Sequence, residues 1–272
     1  MAEVFQPPSF RIQDGVAGDH ERLAFVLDRL ADMPGIQRLR SWAREALRPA
    51  PGDRILDVGA GTGDELQALA TLVGPAGVAT GVEPNPGLRA EATRRAEEFG
   101  SVARFVDGDA YALPLDDSTV DIARCERVFQ HLDHPERAAA EIARVLRPGG
   151  RAVVIDTDWA TTIVHPGDPA VLEEVKRFAL SRFPNPFAGR RLPGQLAAAG
   201  LEVVDHGSQA LIQDVSALDG LFGALATAAV EAGVITMPQR EQLYADLKGG
   251  AARGDFHFSV TMFAVLAAKP VR

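Results

Sequence analysis

Three glycines at alternate positions follow a short apolar run and precede a helical pattern. The run covers residues 55–58, and the glycines are Gly59, Gly61 and Gly63. Because glycine lacks a Cβ atom, such a turn lets the backbone approach a ligand where side chains would obstruct it. The segment therefore predicts a strand, a tight turn and a helix that together form a nucleotide-type pocket.

The spacing of these glycines disfavours a dinucleotide as the ligand. The dinucleotide fingerprint is G-x-G-x-x-G, whereas the third glycine of this chain, Gly63, comes one residue early. Asp57 lies just before the turn. A carboxylate at this position suits a cationic ligand better than a pyrophosphate. These details therefore disfavour a phosphate ligand.

Four motifs occur in order along the first half of the chain. They are the glycine run 57–63, Glu83 at the end of the apolar run 78–82, Asp109 in Gly108-Asp109-Ala110, and the turn Leu146-Arg147-Pro148-Gly149-Gly150. Together they resemble the class I S-adenosylmethionine-dependent methyltransferases, specifically the small-molecule branch similar to ubiquinone and menaquinone biosynthesis methyltransferases. The resemblance implies that the cofactor is S-adenosyl-L-methionine.

The same resemblance assigns roles to individual residues. Glu83 is expected to bind both ribose hydroxyls, which its two oxygens can accept, and Asp109 to read the adenine amino group. Arg124 and Cys125 would lie beside the sulfonium. For the methionine carboxylate, the N–H groups of the glycine turn are suited; an arginine could also help, but the sequence does not indicate which one. The expected cofactor-binding residues are Asp57, Gly59, Ala60, Gly61, Gly63, Glu83, Pro84, Asp109, Ala110, Arg124 and Cys125.

Strand and helix patterns alternate from residue 51 to residue 156 with short connections. This order predicts an α/β fold with a Rossmann-like, doubly wound sheet that is mostly parallel. A final apolar run, residues 256–267, is expected to form the antiparallel edge strand typical of the resembled family. Ligands on such sheets bind at the carboxyl ends of the strands, where Asp57, Glu83 and Asp109 all fall.

Two apolar patterns before residue 51 predict amphipathic helices separated by a break at Asp32-Met33-Pro34-Gly35. We expect these helices to cover the cofactor cleft, with Trp42 packing on the sheet rather than touching substrate. Acceptor specificity is expected to lie in them and in later helical insertions. The resulting division is a helical cap at 1–50, a methyltransferase domain at 51–272, and insertions at about 160–188 and 214–254.

The composition excludes several classes of partner. The 272-residue chain has a formal net charge of −9 and no basic run beyond short arginine pairs, which argues against a nucleic-acid substrate. One cysteine excludes an internal disulfide, and neither a secretory signal nor a long apolar span is recognised. We therefore expect a cytoplasmic protein without a membrane partner, and the sequence is compatible with a homodimer.

Three residues that follow the fourth and fifth strands are candidates for work on the acceptor. His131 is a candidate base and acceptor contact because histidine titrates near neutral pH; the alternative is that it packs near a helix end. Asp158 is a second candidate base or a turn-capping residue. Trp159 forms either a wall of the acceptor pocket or a packing anchor. No Cys or His set accompanies His131 and His134, so no metal site is expected.

The resulting hypothesis is methyl transfer to a small-molecule acceptor. An acceptor oxygen, nitrogen or carbon would attack the S-methyl group in line, and alignment would be the main contribution of the protein. The apolar insertions and the negative charge favour a neutral or weakly polar acceptor from secondary-metabolite or quinone-like biosynthesis. Two alternatives stay open: a cyclase or other non-methylating catalyst that retains the cofactor, and an NAD-dependent oxidoreductase.

Overall fold

A mostly parallel sheet forms the centre of the computed structural model, which describes residues 19–218 and 221–271. The strands are β1 (Arg54–Val58), β2 (Val78–Val82), β3 (Ala103–Val106), β4 (Val120–Glu126), β5 (Leu146–His165), β6 (Glu202–Gln213) and β7 (His257–Ala268). The helices are α1 (Asp19–Ala31), α2 (Pro34–Leu47), α3 (Asp64–Val73), α4 (Pro86–Glu98), α5 (Pro135–Val145), α6 (Pro169–Leu180), α7 (Ala188–Ala198), α8 (Leu221–Glu231) and α9 (Met237–Arg253).

The strands lie in the order β3-β2-β1-β4-β5-β7-β6, and the first five are parallel to one another. This arrangement confirms the predicted α/β, Rossmann-like fold with antiparallel pairing at its C-terminal end. In β1, Asp57 stands beside Gly81 of β2 and Arg124 of β4. The register therefore brings the ends of β1, β2 and β4 to one edge, where the predicted site residues meet.

The last strand is antiparallel, as predicted, but the expectation that it forms the edge of the sheet is wrong. β7 lies between β5 and β6 and pairs with both, so β6 is the edge strand. β5 also runs beyond Asp156, where its sequence pattern ends, and pairs with β7 as far as His165. Its polar residues remain in the sheet because they bond across it, as when Thr161 Oγ1 accepts from Thr261 N at 2.8 Å.

Helix α2 packs directly on the sheet, on the same face as α3. Its residues Ile36, Leu39 and Leu47 are buried in one apolar cluster with residues of β1, β5 and β7. A Cβ atom added to Gly207 of β6 would lie 3.2 Å from the ring of Trp42, so Trp42 covers the sheet as predicted. The first 18 residues of the predicted cap lie outside the described residues, and the division between cap and domain stays a prediction.

The later helices share an apolar cluster of their own. This cluster includes Phe178 of α6, Phe222 of α8, Leu247 of α9 and Phe258 of β7. The rings of Phe222 and Phe258 meet edge to face with centroids 6.0 Å apart. This cluster is separate from the two that flank the sheet. The helices fall within the predicted insertions, two residues of which, 219 and 220, lie outside the described part.

Within residues 19–218 and 221–271, the helices are too short or too polar to cross a lipid bilayer.

Replacing Leu47 by alanine should lower the free energy of unfolding by about 2–5 kcal/mol. The side chain of Leu47, the last residue of α2, is 1% exposed, and its truncation leaves a cavity. Urea unfolding followed by circular dichroism measures this change. The matched control is Leu72→Ala on α3, where leucine is 46% exposed and a change within about 0.5 kcal/mol is expected. Equal effects of the two substitutions would mean that α2 does not belong to the core.

Candidate functional site

The glycine turn after β1 has the conformation that its sequence predicts. Gly59, Gly61 and Gly63 have φ angles of +72°, +56° and +82°, in the left-handed region. A Cβ atom on Gly59 would lie 2.4 Å from a methyl group of Val128, and one on Gly63 would lie 2.4 Å from the ring of Phe105. Both the backbone angles and the packing therefore require glycine, and Ala60 is held between two of these positions.

The carboxylate of Glu83 connects the end of β2 to the glycine turn. Its Oε2 accepts a hydrogen bond from Gly61 N at 2.8 Å, and its Oε1 accepts one from Asn85 N at 2.9 Å. Burial raises the pKa of Glu83, and these two N–H groups oppose the rise. Each oxygen retains a second lone pair, so the carboxylate can hold the turn and still accept from a ligand hydroxyl. Pro84 follows at the same edge.

Asp109 lies in the turn after β3. Its Oδ1 accepts a hydrogen bond from Tyr111 N at 2.7 Å, and its carbonyl accepts one from Ala112 N at 3.0 Å. The residue is exposed, while Ala110 is partly buried and packs against the core. The turn is thus held by its own hydrogen bonds at the edge of the sheet that carries Glu83.

Charged side chains of alternating sign form a buried row beside the glycine turn. In order along the row they are Arg44, Glu65, Arg40, Glu126, Arg124 and Asp57. Arg40 Nη2 lies 2.9 Å from Glu126 Oε1, and Arg124 Nη1 lies 3.0 Å from Asp57 Oδ1. Burial alone would raise the pKa of Glu126, but Arg124 and Arg40 lower it to about 2. We call these six residues the charge row.

The charge row changes how Asp57 and Arg124 can act. Asp57 is 1% exposed and its carboxylate is paired with Arg124, so its charge is compensated inside the protein. Arg124 also donates to Glu126, and its Nε has no hydrogen-bond partner within the described residues. The thiol of Cys125 points into the apolar core on the other face of β4, and burial raises its pKa. Any contact of Cys125 with a cofactor would use its backbone.

A cavity of about 50 Å³ lies between the glycine turn, the charge row and helix α1. Leu27 and Ala31 of α1 form its roof, and a Cβ atom on Gly61 would lie 3.0 Å from Leu27 Cδ1. Pockets that hold a drug-sized ligand usually have volumes of roughly 300–1,000 Å³. The space that this cavity encloses is therefore smaller than a nucleoside-sized ligand.

His131 is partly buried and is the last residue of a 3-10 turn, Phe129–His131, which follows β4. The turn is fixed by Asp156 of β5, whose Oδ2 accepts from Gln130 N at 3.1 Å and whose Oδ1 accepts from Thr157 N at 2.7 Å. Burial raises the pKa of Asp156 to about 7, although these N–H groups oppose the rise. A buried carboxyl group that titrates near neutral pH thus supports the segment that carries His131.

Trp159, which lies within β5, connects this strand to the same 3-10 turn. Its indole Nε1 donates to Gln130 Oε1 at 2.7 Å, and its ring stacks on Phe183 with centroids 4.5 Å apart. Asp158 is fully buried, and its carboxylate is paired with Arg190 and accepts from Ala160 N at 3.2 Å. These contacts favour a structural role for Asp158, whereas Trp159 both packs and faces the region of His131.

Among the described residues, three or more His, Cys, Asp or Glu side chains are nowhere grouped so as to hold a metal ion. His134, three residues after His131, is exposed, and its Nδ1 lies 3.4 Å from Glu136.

Comparison with known proteins identifies the family. Residues 56–154 match the family model of a methyltransferase domain. The chain is 30% identical over 205 residues to the 2-phytyl-1,4-naphtoquinone methyltransferase of Synechococcus elongatus, covering 74% of this chain and 83% of that protein. The chain belongs to the class I S-adenosylmethionine-dependent methyltransferases. This membership makes it an enzyme that uses S-adenosyl-L-methionine, and the NAD-dependent alternative is not supported.

Two further proteins are similar to this methyltransferase. An uncharacterized 37.1 kDa protein in a transposon of Streptomyces fradiae is 33% identical over 245 residues, or 89% of this chain and 70% of that protein. The crystal structure of the [4+2]-cyclase SpnF shares the fold with a TM-score of 0.56 at 24% identity, covering 87% of this chain and 82% of that one.

The residues at the edge of this methyltransferase sheet fit S-adenosylmethionine. The glycine turn offers a cradle that a Cβ atom would fill, and Glu83 offers acceptor oxygens for a ribose. The buried Nε of Arg124 has no hydrogen-bond partner within residues 19–218 and 221–271 and lies beside the same cavity. These observations are independent of the family match and agree with it.

Among the cavity residues that sequence reasoning missed are three members of the charge row, namely Arg40, Glu65 and Glu126. A signal for them was present. Arg40 and Arg44 are four residues apart on α2 and therefore share a face, and both lie within 4 Å of Glu65. Glu65 follows the glycine turn directly, in the first turn of α3.

The raised pKa of Asp156 predicts a pH dependence of stability. Its pKa is about 7 in the folded protein and roughly 3.9 in an unfolded chain. Because folding favours the neutral carboxyl group, its contribution to the free energy of unfolding is complete below about pH 4. That contribution is lost as the pH rises through 7, at up to about 1.4 kcal/mol per pH unit.

Urea unfolding of wild type and of Asp156→Asn from pH 4 to 8 measures this contribution. The unfolding free energy of wild type minus that of the variant should decrease as the pH rises, because only wild type carries the titrating group. A difference that stays constant over this range would contradict the raised pKa.

Replacing Glu83 by glutamine should weaken binding of S-adenosylmethionine by about 10-fold or more. The amide NH₂ of glutamine would face a backbone N–H donor, Gly61 N or Asn85 N, and would remove an acceptor from the ribose. Calorimetric titration measures the change, with Glu97→Gln on the exposed surface of α4 as the matched control. Unchanged affinity in Glu83→Gln would contradict the assignment of this carboxylate to the cofactor.

Proposed function

We propose that this methyltransferase acts on a small, planar and largely apolar acceptor that lies over the carboxyl ends of β4 and β5. The observation that carries the proposal is the stacked pair Trp159 and Phe183, which Gln130 connects to the turn of His131. Flat aromatic surfaces beside a few polar groups suit a ring-shaped ligand. The name of the Synechococcus relative, a naphthoquinone methyltransferase, supports a quinone-like or aromatic acceptor.

On the cofactor side, we assign the ribose hydroxyls to Glu83 and Pro84 and the adenine to Asp109 and Ala110. The turn from Gly59 to Gly63 would hold the amino-acid part by backbone N–H groups. The spacing of these groups along one sheet edge supports this arrangement. Arg124 and the backbone of Cys125 border the region where the sulfonium would lie.

When bound, S-adenosylmethionine supplies a methyl group on a positively charged sulfur. The protein holds the acceptor atom in line with that methyl group, and such alignment contributes roughly 7–11 kcal/mol relative to free reactants. Helix α1, whose Leu27 and Ala31 roof the cavity, would exclude water from the reacting groups. His131 would remove a proton from acceptors that must lose one. The buried pairing of Asp158 with Arg190 supports His131 over Asp158 in this role.

A cyclase that retains the cofactor is the second candidate function. The observation that favours it is the likeness to the [4+2]-cyclase SpnF, which shows the shared fold. The family match and the quinone-methyltransferase relative favour methyl transfer. Product mass separates the two functions, because methyl transfer adds one methyl group and cyclisation leaves the mass unchanged.

The decisive experiment incubates the protein and S-adenosylmethionine with a panel of naphthoquinols, phenols and other ring-shaped acceptors. Mass spectrometry should detect products that gain one methyl group, together with S-adenosylhomocysteine. Conversion of an acceptor without change of mass, or methylation of aliphatic compounds alone, would overturn the proposal.

His131→Ala should lower kcat by about 10²–10⁴-fold with a proton-losing acceptor and leave the affinity for S-adenosylmethionine unchanged. The rate is measured as release of S-adenosylhomocysteine, and the affinity by calorimetry. His134→Ala, which removes an exposed histidine of the same segment, is the matched control. If the two variants behave alike, His131 is not the base.

A homodimeric state, the absence of nucleic acid from the reaction and a cytoplasmic location stay predictions from the sequence. The net charge of −9 supports the second of them.

A further inference from the structure

Three arginines and three carboxylates line the cavity, and one of these arginines has no paired carboxylate among the described residues. In the charge row, the carboxylates of Asp57, Glu65 and Glu126 are paired with Arg124, Arg44 and Arg40. Asp64, which lines the cavity outside the charge row, lies 3.1 Å from Arg95 of α4. Arg127 also lines the cavity, and no carboxylate of a described residue lies within 4 Å of its guanidinium nitrogens. Arg127 therefore forms no ion pair within the described residues, and Glu126 and Asp156 act on it only from a distance.

The backbone of Arg127 is held in an uncommon conformation. Its φ of +57° lies in the left-handed region, which residues other than glycine rarely adopt. Its N–H donates to Ile155 O at 2.8 Å, and its carbonyl accepts from Gln130 Nε2 at 3.3 Å. The surroundings thus fix a costly geometry, which is a feature of functional positions.

The guanidinium of Arg127 makes no hydrogen bond to any described residue, and the residue is partly buried. Burial lowers its pKa and Arg40 and Arg124 act in the same direction, while Glu126 and Asp156 oppose the decrease. A partly buried guanidinium of this kind is stabilised by an anion that accepts from its fork of N–H groups.

We propose that Arg127 binds the carboxylate of the methionine part of S-adenosylmethionine. The cofactor carries a single carboxylate, and its ribose is assigned to Glu83 at the end of β2. Arg127 follows β4, and β1 with its glycine turn lies between these two strands. Two strand spacings are about 10 Å, a distance that the chain from ribose to carboxylate can span. The inference rests on the proposed placement of the cofactor.

The other arginines beside the cavity are already committed. Arg40 donates to Glu126 through two nitrogens, and Arg44 donates to both oxygens of Glu65. Arg124 donates to Asp57 and Glu126. To bind a ligand carboxylate, Arg40 or Arg44 would have to give up an existing pair, and Arg124 could offer only its single Nε, whereas Arg127 can offer its whole fork of N–H groups. This difference selects Arg127.

The test compares two ligands that differ only in the carboxylate. Calorimetric titrations use S-adenosylmethionine and decarboxylated S-adenosylmethionine with wild type and with Arg127→Gln. We expect Arg127→Gln to bind S-adenosylmethionine about 10-fold or more weakly, and decarboxylated S-adenosylmethionine within about 2-fold of wild type. Arg127→Lys, which keeps the charge, should recover part of the lost affinity.

Two controls accompany these titrations. Arg177→Gln removes an exposed arginine of α6 and should bind both ligands like wild type. Arg127→Gly suits the left-handed backbone, so it should fold and reproduce the selective loss.

Each outcome decides the inference. An equal loss for both ligands would show that Arg127 supports the site without reading the carboxylate. Unchanged binding of both ligands, with a raised KM for an anionic acceptor, would assign Arg127 to the acceptor and overturn the proposal. If wild type binds neither ligand, the placement of the cofactor fails; if wild type binds both and Arg127→Gln binds S-adenosylmethionine normally, only the role of Arg127 fails.

Discussion

One buried guanidinium connects the elements that form the cofactor end of this methyltransferase. Arg124 contacts Asp57 of β1 and Glu126 of its own strand, and through Glu126 it reaches Arg40 of α2. Because these groups are buried, removal of one leaves its partner uncompensated, which typically costs about 3–5 kcal/mol. The row exists only because the parallel register sets Asp57 beside Arg124. Strand pairing and charge pairing therefore specify each other.

The parts of the fold that depend on residues close together in the sequence were predictable. The glycine turn, the alternation of strands and helices and the position of Glu83 at a strand end follow from local patterns. The place of β7 between β5 and β6 did not, because apolar periodicity indicates a strand without ranking its partners. The same holds for Asp158, whose partner Arg190 is 32 residues away and belongs to another element.

Parts of the candidate site carried a signal that the motifs alone did not provide. Arg124 and Cys125 are consecutive residues of β4, and consecutive side chains of a strand face opposite sides of the sheet. The thiol accordingly lies in the core and the guanidinium beside the cavity. The lack of a partner for Arg127 could not be read in this way, because it follows from how three other arginines are paired across α2, α3 and β4.

The separate apolar cluster of α6, α8 and α9 has a consequence for how such an enzyme diversifies. Its members pack mainly on one another and on the far ends of β5 and β7, away from the glycine turn. Substitutions there are absorbed within a small, self-contained core. These helices can therefore change in shape without disturbing the packing around the glycine turn, so that one scaffold can carry different helical surfaces beside the same cofactor end.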